Sequence, residues 1–408
     1  MRPDRVLSLM CGAAVASGCV VPEDEAAQVF DRSVLHTVEI YVGKQHLDQL
    51  ATDLDERVPC TLIYDGNYVP GAGVRQKGND LVDLADKPSF SVKFDEFADT
   101  KLHGLNKILL NASIQDPTFL RELIGADMYT RAGLPTARTA HAQVRFNGED
   151  RGIYVVVESV DKDFLRVHFG EQNEEGNLYE GPCCGDFIGD VEQLELKDED
   201  EGRTRDDIRG LAQIIAQTPD ALLENLLTRY LDLDGFMKGY ALDAALAHWD
   251  GYAYRANNYY LYNNPDDDRF VFIPHGMDRI LDDASFDTET TPVALLPQRI
   301  RAIPTLEAQF QSALASVMIT TWNETAMTSA MDRTGALLRA ASAGPRTTQD
   351  LATFEASVGP LKEALTRRRA LLDPGIACGD GQQEGLETCD DGNTASGDGC
   401  GKRCRVEP

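Results

Sequence analysis

The sequence predicts an α+β fold, with a β-rich N-terminal half, a mainly helical C-terminal half and a small cysteine-rich tail. Three observations carry this expectation. Short β-branched or aromatic runs bounded by turn residues fill the region from His36 to Glu158. From Asp206 onward, apolar residues recur at helical spacing. The segment Cys378 to Cys404 holds four cysteines and almost no large apolar side chain, so it depends on cross-links rather than on a core.

The N-terminus stands apart from this body. Arg2 and Arg5 precede an apolar run, Val6 to Ala16, that is too short to span a bilayer as a finished helix. Ala16-Ser17-Gly18-Cys19 follows, the small-residue pattern that a lipoprotein signal peptidase accepts. Residues 1–18 are therefore expected to be a lipoprotein signal peptide, with Cys19 as the lipidated N-terminus; an ordinary cleaved signal peptide is the alternative. Both readings place the protein outside the cytoplasm, anchored to the bacterial envelope by lipid in the first case. Residues 19–34 are polar and acidic and read as a tether to a domain spanning 35–375, with the cysteine-rich repeat at 376–408. The net charge is −28, from 39 basic and 67 acidic side chains. Such a surface repels phosphate backbones and anionic lipid, which argues against a nucleic-acid partner and against membrane contact beyond the anchor.

Within the domain, strands are expected at His36–Val42, Cys60–Tyr64, Ser89–Phe94 and Lys107–Asn111. A helix is expected from Pro117 to Ala132, with Asp116 as its cap and Gly133 as its stop. Asn147-Gly148 signals a hairpin between His141–Phe146 and Gly152–Glu158. Gly170–Glu201 reads as acidic loop, and helices follow from Asp206, from Thr218-Pro219 and from Asp234 to His248. Two further strands, Asn258–Tyr262 and Phe270–Ile273, precede a helical region from Thr305 to Leu372.

The chemistry concentrates between His248 and Asp278. Asp250 lies where a helix ends, Asn257 and Asn258 stand just before one strand, and Asp278 stands just after the next. If those strands pair as a hairpin, the two ends become neighbours, because paired strands lie about 4.8 Å apart. Two carboxylates and an amide oxygen are hard ligands suited to Mg²⁺ or Mn²⁺. A carboxylate before such a hairpin and another after it is also the protein-kinase layout. Acidic residues at loop ends also serve as caps and turn formers, so spacing alone leaves both readings open.

Several segments in order resemble the CotH (spore coat protein H) atypical kinase family. They are Gly73-Val74-Arg75-Gln76-Lys77-Gly78-Asn79, Lys87-Pro88-Ser89-Phe90-Ser91-Val92-Lys93-Phe94-Asp95, and Asn111 to Leu134 with Arg121. Asn147 to Tyr154 followed by Glu158 continues the series, and Trp249-Asp250-Gly251, Asn258 to Tyr262 and Pro274 to Asp278 complete it. The resemblance implies a two-lobed, atypical protein-kinase-like fold and phosphate transfer from ATP to Ser or Thr of a secreted or envelope protein. It implies Asp250 as the catalytic base and Asn258 (or Asn257) with Asp278 as ligands of Mg²⁺ or Mn²⁺. Lys87 or Lys93, and Arg75, would face phosphate, with Glu158 pairing the lysine. The chain departs from the family at Asp80-Leu81, at Glu180 where relatives often have Lys, and at His275-Gly276. A catalytically inactive surface-binding or structural lipoprotein on the same fold is the competing reading.

Cys378, Cys389, Cys400 and Cys404, with Cys378-Gly379-Asp380-Gly381 and Gly397-Asp398-Gly399-Cys400, resemble a cysteine-rich repeat of bacterial surface proteins. The resemblance implies two disulfides of unspecified connectivity. Asp390, Asp391 and Asp398 are candidates for Ca²⁺ or simple turn formers. Cys60, Cys183 and Cys184 remain, and a vicinal bond between the last two is one option.

Overall fold

A computed structural model describes residues 24–78, 80–197 and 203–372, together with parts of the tail between 379 and 406. The signal segment with Cys19 lies outside the described residues, as do Cys378 and Cys404.

The N-terminal half is a closed seven-stranded barrel. Its strands are β1 (His36–Val42), β2 (Val58–Tyr64), β3 (Asn67–Lys77), β4 (Ser89–Lys93), β5 (Lys107–Asn111), β6 (Thr139–Phe146) and β7 (Glu149–Glu158). The order around the barrel is β1-β2-β3-β4-β5-β7-β6, closed by parallel pairing of β1 with β6. Along β1 and β2 every second residue is buried, the period-2 pattern of a sheet wrapped on a core. Val38, Leu62, Val74, Phe90, Leu110 and Tyr154 fill that core. Asn147 and Gly148 both have positive φ (48° and 82°), the left-handed pair that a two-residue hairpin requires, and they join β6 to β7. The short α1 (Leu47–Thr52) lies between β1 and β2, and α2 (Arg121–Arg131) between β5 and β6. The latter begins four residues later than Asp116-Pro117 suggested. Ser113 and Phe119 take left-handed backbone, so the chain turns before it coils. Asp116 still caps the helix from a distance, accepting the Arg121 N–H at 2.9 Å.

The C-terminal half is helical, with one four-stranded sheet. The helices are α3 (Lys162–Phe169), α4 (Asp206–Gln217), α5 (Asp220–Tyr230), α6 (Leu233–Ala245), α7 (Tyr252–Arg255), α8 (Leu295–Ala302), α9 (Pro304–Ser316), α10 (Glu324–Arg339) and α11 (Pro345–Leu372). The sheet has the order β11-β10-β8-β9, with β8 (Leu178–Glu180), β9 (Glu195–Lys197), β10 (Tyr259–Asn264) and β11 (Arg269–Pro274). The segment expected to be loop from Gly170 to Glu201 thus supplies two strands. Each is only three residues long, below what an alternation pattern can reveal. No helix among the described residues is long and apolar enough to cross a membrane.

Two buried charged contacts fasten α11 into this frame. Arg368 of α11 is fully buried and donates to the carbonyls of Ala244, Ala245 (2.9 Å) and Phe286. A cation there adds a donor to the carbonyls at the end of α6 and complements its dipole. Arg368→Leu is expected to destabilise the protein by about 3–5 kcal/mol, because buried carbonyls lose their partner. A urea titration reads this as a lower midpoint; an unchanged midpoint contradicts it. Lys87 and Asp350 form the second fastening, with Nζ to Oδ2 at 2.7 Å and side-chain exposures of 7% and 9%.

In the tail, Cys389 and Cys400 are disulfide-bonded. The Asp390 carboxylate accepts from the N–H groups of Gly379, Gly381 and Gly392 at 2.8–3.0 Å. It thereby organises the glycine turns, as the turn-former alternative expects. Asp391 accepts from the Asn393 N–H and Asp398 from the Asn393 side chain.

Candidate active site

A cleft of about 440 Å³ opens between the barrel and the helical half. Asp250, Asn257, Asn258, Gly276 and Asp278 line it from the helical side, and Arg57, Arg75, Lys77 and Lys107 from the barrel. The β10–β11 hairpin brings the first group together, with Tyr259 opposite Pro274 in an unbroken antiparallel register. Asn258 is the link between the two ends. Its Nδ2 donates to the Asp250 carbonyl (3.0 Å) and lies within 3.3 Å of the Asp250 carboxylate and 3.4 Å of the Gly276 carbonyl. Asn257 adds a bond to the same carboxylate at 3.3 Å, and Arg255 approaches it at 3.4 Å.

The backbone here is unusual in a way that serves these contacts. Ala247, Ala256 and Asn258 all hold left-handed φ values (52°, 49° and 54°). Such conformations are costly for residues with a Cβ and cluster where a site needs them. Gly276 has φ 60°, and a Cβ on it would come within 2.5 Å of Asn258 Oδ1, so only glycine fits beside that amide.

The floor of the cleft carries two buried acidic side chains, Asp278 and Glu122. Burial raises the Asp278 carboxyl, and Lys77 opposes the shift. Glu122, at the start of α2, is pushed up to about 8, chiefly by burial and then by the neighbouring Asp278. Its Oε2 is buried with no hydrogen-bond partner among the described residues. The pattern of α2 shows an acidic first turn at Glu122, but nothing in the sequence says that it points into a cleft. Behind the floor, Asp243 accepts from the Tyr129 hydroxyl (2.7 Å) and pairs with His248 Nδ1 (2.8 Å), fixing the residues that lead into Asp250. Among the described residues no three His, Cys, Asp or Glu side chains group closely enough to form a metal cage by themselves.

The cations differ from those expected. Arg75 does line the cleft, with one nitrogen held by the Leu54 carbonyl at 2.7 Å. Lys87 does not line it; its ammonium is buried against Asp350 and over the rings of Phe119 and Tyr154. Lys93 is exposed on the outside of β4 and pairs with Glu96 at 3.0 Å. Glu158 pairs with Arg138 at 2.6 Å rather than with a lysine, because β7 ends beside Arg138 and not beside β4. The lysines that line the cleft are Lys77, Lys107 and Lys197. Lys107 lies 3.8 Å from Asp161. Lys197 sits against Glu180, so the acidic residue at the family's lysine position carries its own cation. Neither Arg75 nor Lys77 makes an ion pair with a carboxylate among the described residues.

The profile of the family described as CotH kinase protein matches residues 74–372, well over half of the chain. The chain belongs to the CotH kinase family. It is 24% identical over 258 residues to the inner spore coat protein H of Bacillus subtilis (strain 168), a match covering 61% of this chain and 69% of that protein. A Helicobacter pylori proinflammatory kinase, CtkA, aligns over 72% of this chain and 96% of its own at 9% identity, with a TM-score of 0.28. The CotH match begins at Val74, within β3, and ends at the last residue of α11, so it takes in every cleft residue named above except Arg57.

Proposed function

We propose that this CotH kinase family protein transfers the terminal phosphate of ATP to a Ser or Thr hydroxyl of a secreted or envelope protein, from an exported, lipid-anchored position. The observation that carries the reading is the gathering of Asp250, Asn258 and Asp278 in one cleft with two cations, Arg75 and Lys77, that lack carboxylate partners among the described residues.

The residues present fit a magnesium or manganese nucleotide. Mg²⁺ is commonly held by one or two carboxylates plus substrate phosphates rather than by a full protein cage. Asp278 is such a carboxylate, lining the cleft beside Asn258. Asp278 and the Oδ1 of Asn258 would hold the cation, with the orphaned Glu122 Oε2 close by. When bound, the cation neutralises charge on the transferred phosphate.

The chain's own groups account for the rest. Asn258 commits its Nδ2 to Asp250 and Gly276, which orients Oδ1. Asn257 and Asn258 hold the Asp250 carboxylate in place, and that carboxylate orients the acceptor hydroxyl and takes its proton. Arg75 and Lys77 offer N–H donors to phosphate oxygens, and charge-assisted bonds of this kind contribute about 1.5–3 kcal/mol each.

The test is incubation of the purified protein with terminally labelled ATP, Mn²⁺ or Mg²⁺ and a serine-rich acceptor. Metal-dependent, acid-stable label in the acceptor is expected. Arg75→Ala and Lys77→Ala are each expected to weaken nucleotide binding about 10- to 100-fold, as the loss of one such bond implies. Nucleotide hydrolysis or transfer that is indifferent to both substitutions contradicts the assignment. Failure of the protein to bind any metal–nucleotide favours a binding or structural role on this fold.

A further inference from the structure

Cys183 and Cys184 lie next to each other in the loop that follows β8, and both are exposed. Their sulfurs are 2.7 Å apart. A disulfide needs about 2.04 Å, so closure takes a shift of about 0.7 Å. Adjacent cysteines in ordinary extended chain point to opposite sides. Here Cys184 has φ 63°, a left-handed conformation that turns its side chain back toward Cys183. The loop is held in that shape from both ends by one residue. Gly181 N–H donates to the Tyr259 carbonyl (2.9 Å), and the Tyr259 hydroxyl donates to the Gly185 carbonyl (3.1 Å). Tyr259 directly follows Asn258, and Cys183 itself lines the cleft that holds Asp250.

We propose that Cys183 and Cys184 are a reversible redox site, a vicinal dithiol that closes to a disulfide at the rim of the cleft when met by a small-molecule disulfide. The chemistry balances as two exchanges. One cysteine thiolate attacks a sulfur of the oxidant R–S–S–R, breaking that bond and releasing one thiol, and leaves a mixed disulfide. The second cysteine then attacks the protein sulfur of that mixed disulfide and releases the second thiol. The protein loses two electrons and two protons, and the oxidant becomes two thiols. Among the described residues the third free cysteine, Cys60, is buried in the barrel core with its thiol pushed up to about 12, so it takes no part. The Cys389–Cys400 bridge in the same chain suits a compartment where such oxidants occur. This inference does not depend on phosphate transfer.

Peptide mass spectrometry tests it. The purified protein is treated with oxidised glutathione, its remaining thiols are alkylated, and the peptide containing Pro182 to Gly185 is weighed. The expected peptide has lost two hydrogens, carries no alkyl group and carries no glutathione; dithiothreitol restores two alkylatable thiols. The Cys184→Ser and Cys183→Ser variants are expected to stop at one stable glutathione adduct, because the resolving thiol is gone. Stable glutathione adducts on the unsubstituted peptide, two thiols that stay alkylatable after oxidation, or a bridge from either residue to another cysteine would each overturn the proposal.

Discussion

Asp250→Ala is expected to lower phosphate transfer by about 10²- to 10⁴-fold while leaving metal–nucleotide binding in place, whereas Asp278→Ala is expected to lose both. The split follows from position. Asp250 is presented by the short loop after α6 and held by two asparagine side chains, which leaves its carboxylate free to take a proton but adds nothing to the acidic floor. Asp278 lies on that floor beside Glu122, where burial raises both carboxyl groups. Replacing Asp278 leaves Asn258 as the one remaining ligand of the pair and removes the charge that Lys77 faces. Label transfer measures the first effect and a nucleotide-dependent rise in melting temperature the second; saturating ligand at about 100 times Kd adds about 2.7 kcal/mol of stability. Equal loss of binding in both variants contradicts the division of roles.

Lys87→Met gives the opposite result. It is expected to cost about 3–5 kcal/mol of stability, since Asp350 is left as an uncompensated buried charge. Nucleotide affinity measured well below the melting temperature is expected to stay unchanged, because the ammonium is in the interior and not in the cleft. Asp350 also accepts from the Ile153 N–H at 2.7 Å, so the double replacement Lys87→Met with Asp350→Leu recovers only part of the loss. Denaturant titration of the three proteins reads the stabilities. A Lys87→Met protein of full stability that fails to bind nucleotide would return Lys87 to the phosphate site.

The same contact explains a stretch of sequence that resembles a family motif without touching the cleft. Gly152, with φ 85°, leaves room for Asp350, whose Oδ2 would lie 2.1 Å from a Cβ there. Asp150 accepts from the Thr347 N–H and hydroxyl at the start of α11, and the Tyr154 hydroxyl donates to the Pro88 carbonyl. The Asn147–Tyr154 hairpin and Lys87-Pro88 therefore form a clamp for α11. That role could not be read from Lys87 alone, because its partner is 263 residues away.

Other features were legible because they are local. Asn147-Gly148 announced its hairpin, and the helical periods of α4 and α5 announced theirs. The β10–β11 pairing was the decisive long-range inference, and it rested on two short apolar runs around a turn rich in Asp and Asn. The strand β3 escaped notice because Pro70, Gly71 and Gly73 interrupt its alternation, and with it the placement of Lys77 on the cleft wall was missed. Lys197 lay in an acidic stretch with no strand signal, and no pattern marked Glu122 as facing a cleft, because the helix was expected to start at Pro117 rather than at Arg121. The net charge of −28 gave no sign that Arg57, Arg75, Lys77, Lys107 and Lys197 stand around one cavity.

Calorimetric titration of Mn²⁺–ATP into the purified protein and into its Asp250→Asn and Asp278→Asn variants tests the central claim most directly. Saturable binding to the unsubstituted protein and to Asp250→Asn, with binding lost in Asp278→Asn, is the predicted result. Binding that survives unchanged in Asp278→Asn, or no binding to the unsubstituted protein, would contradict it.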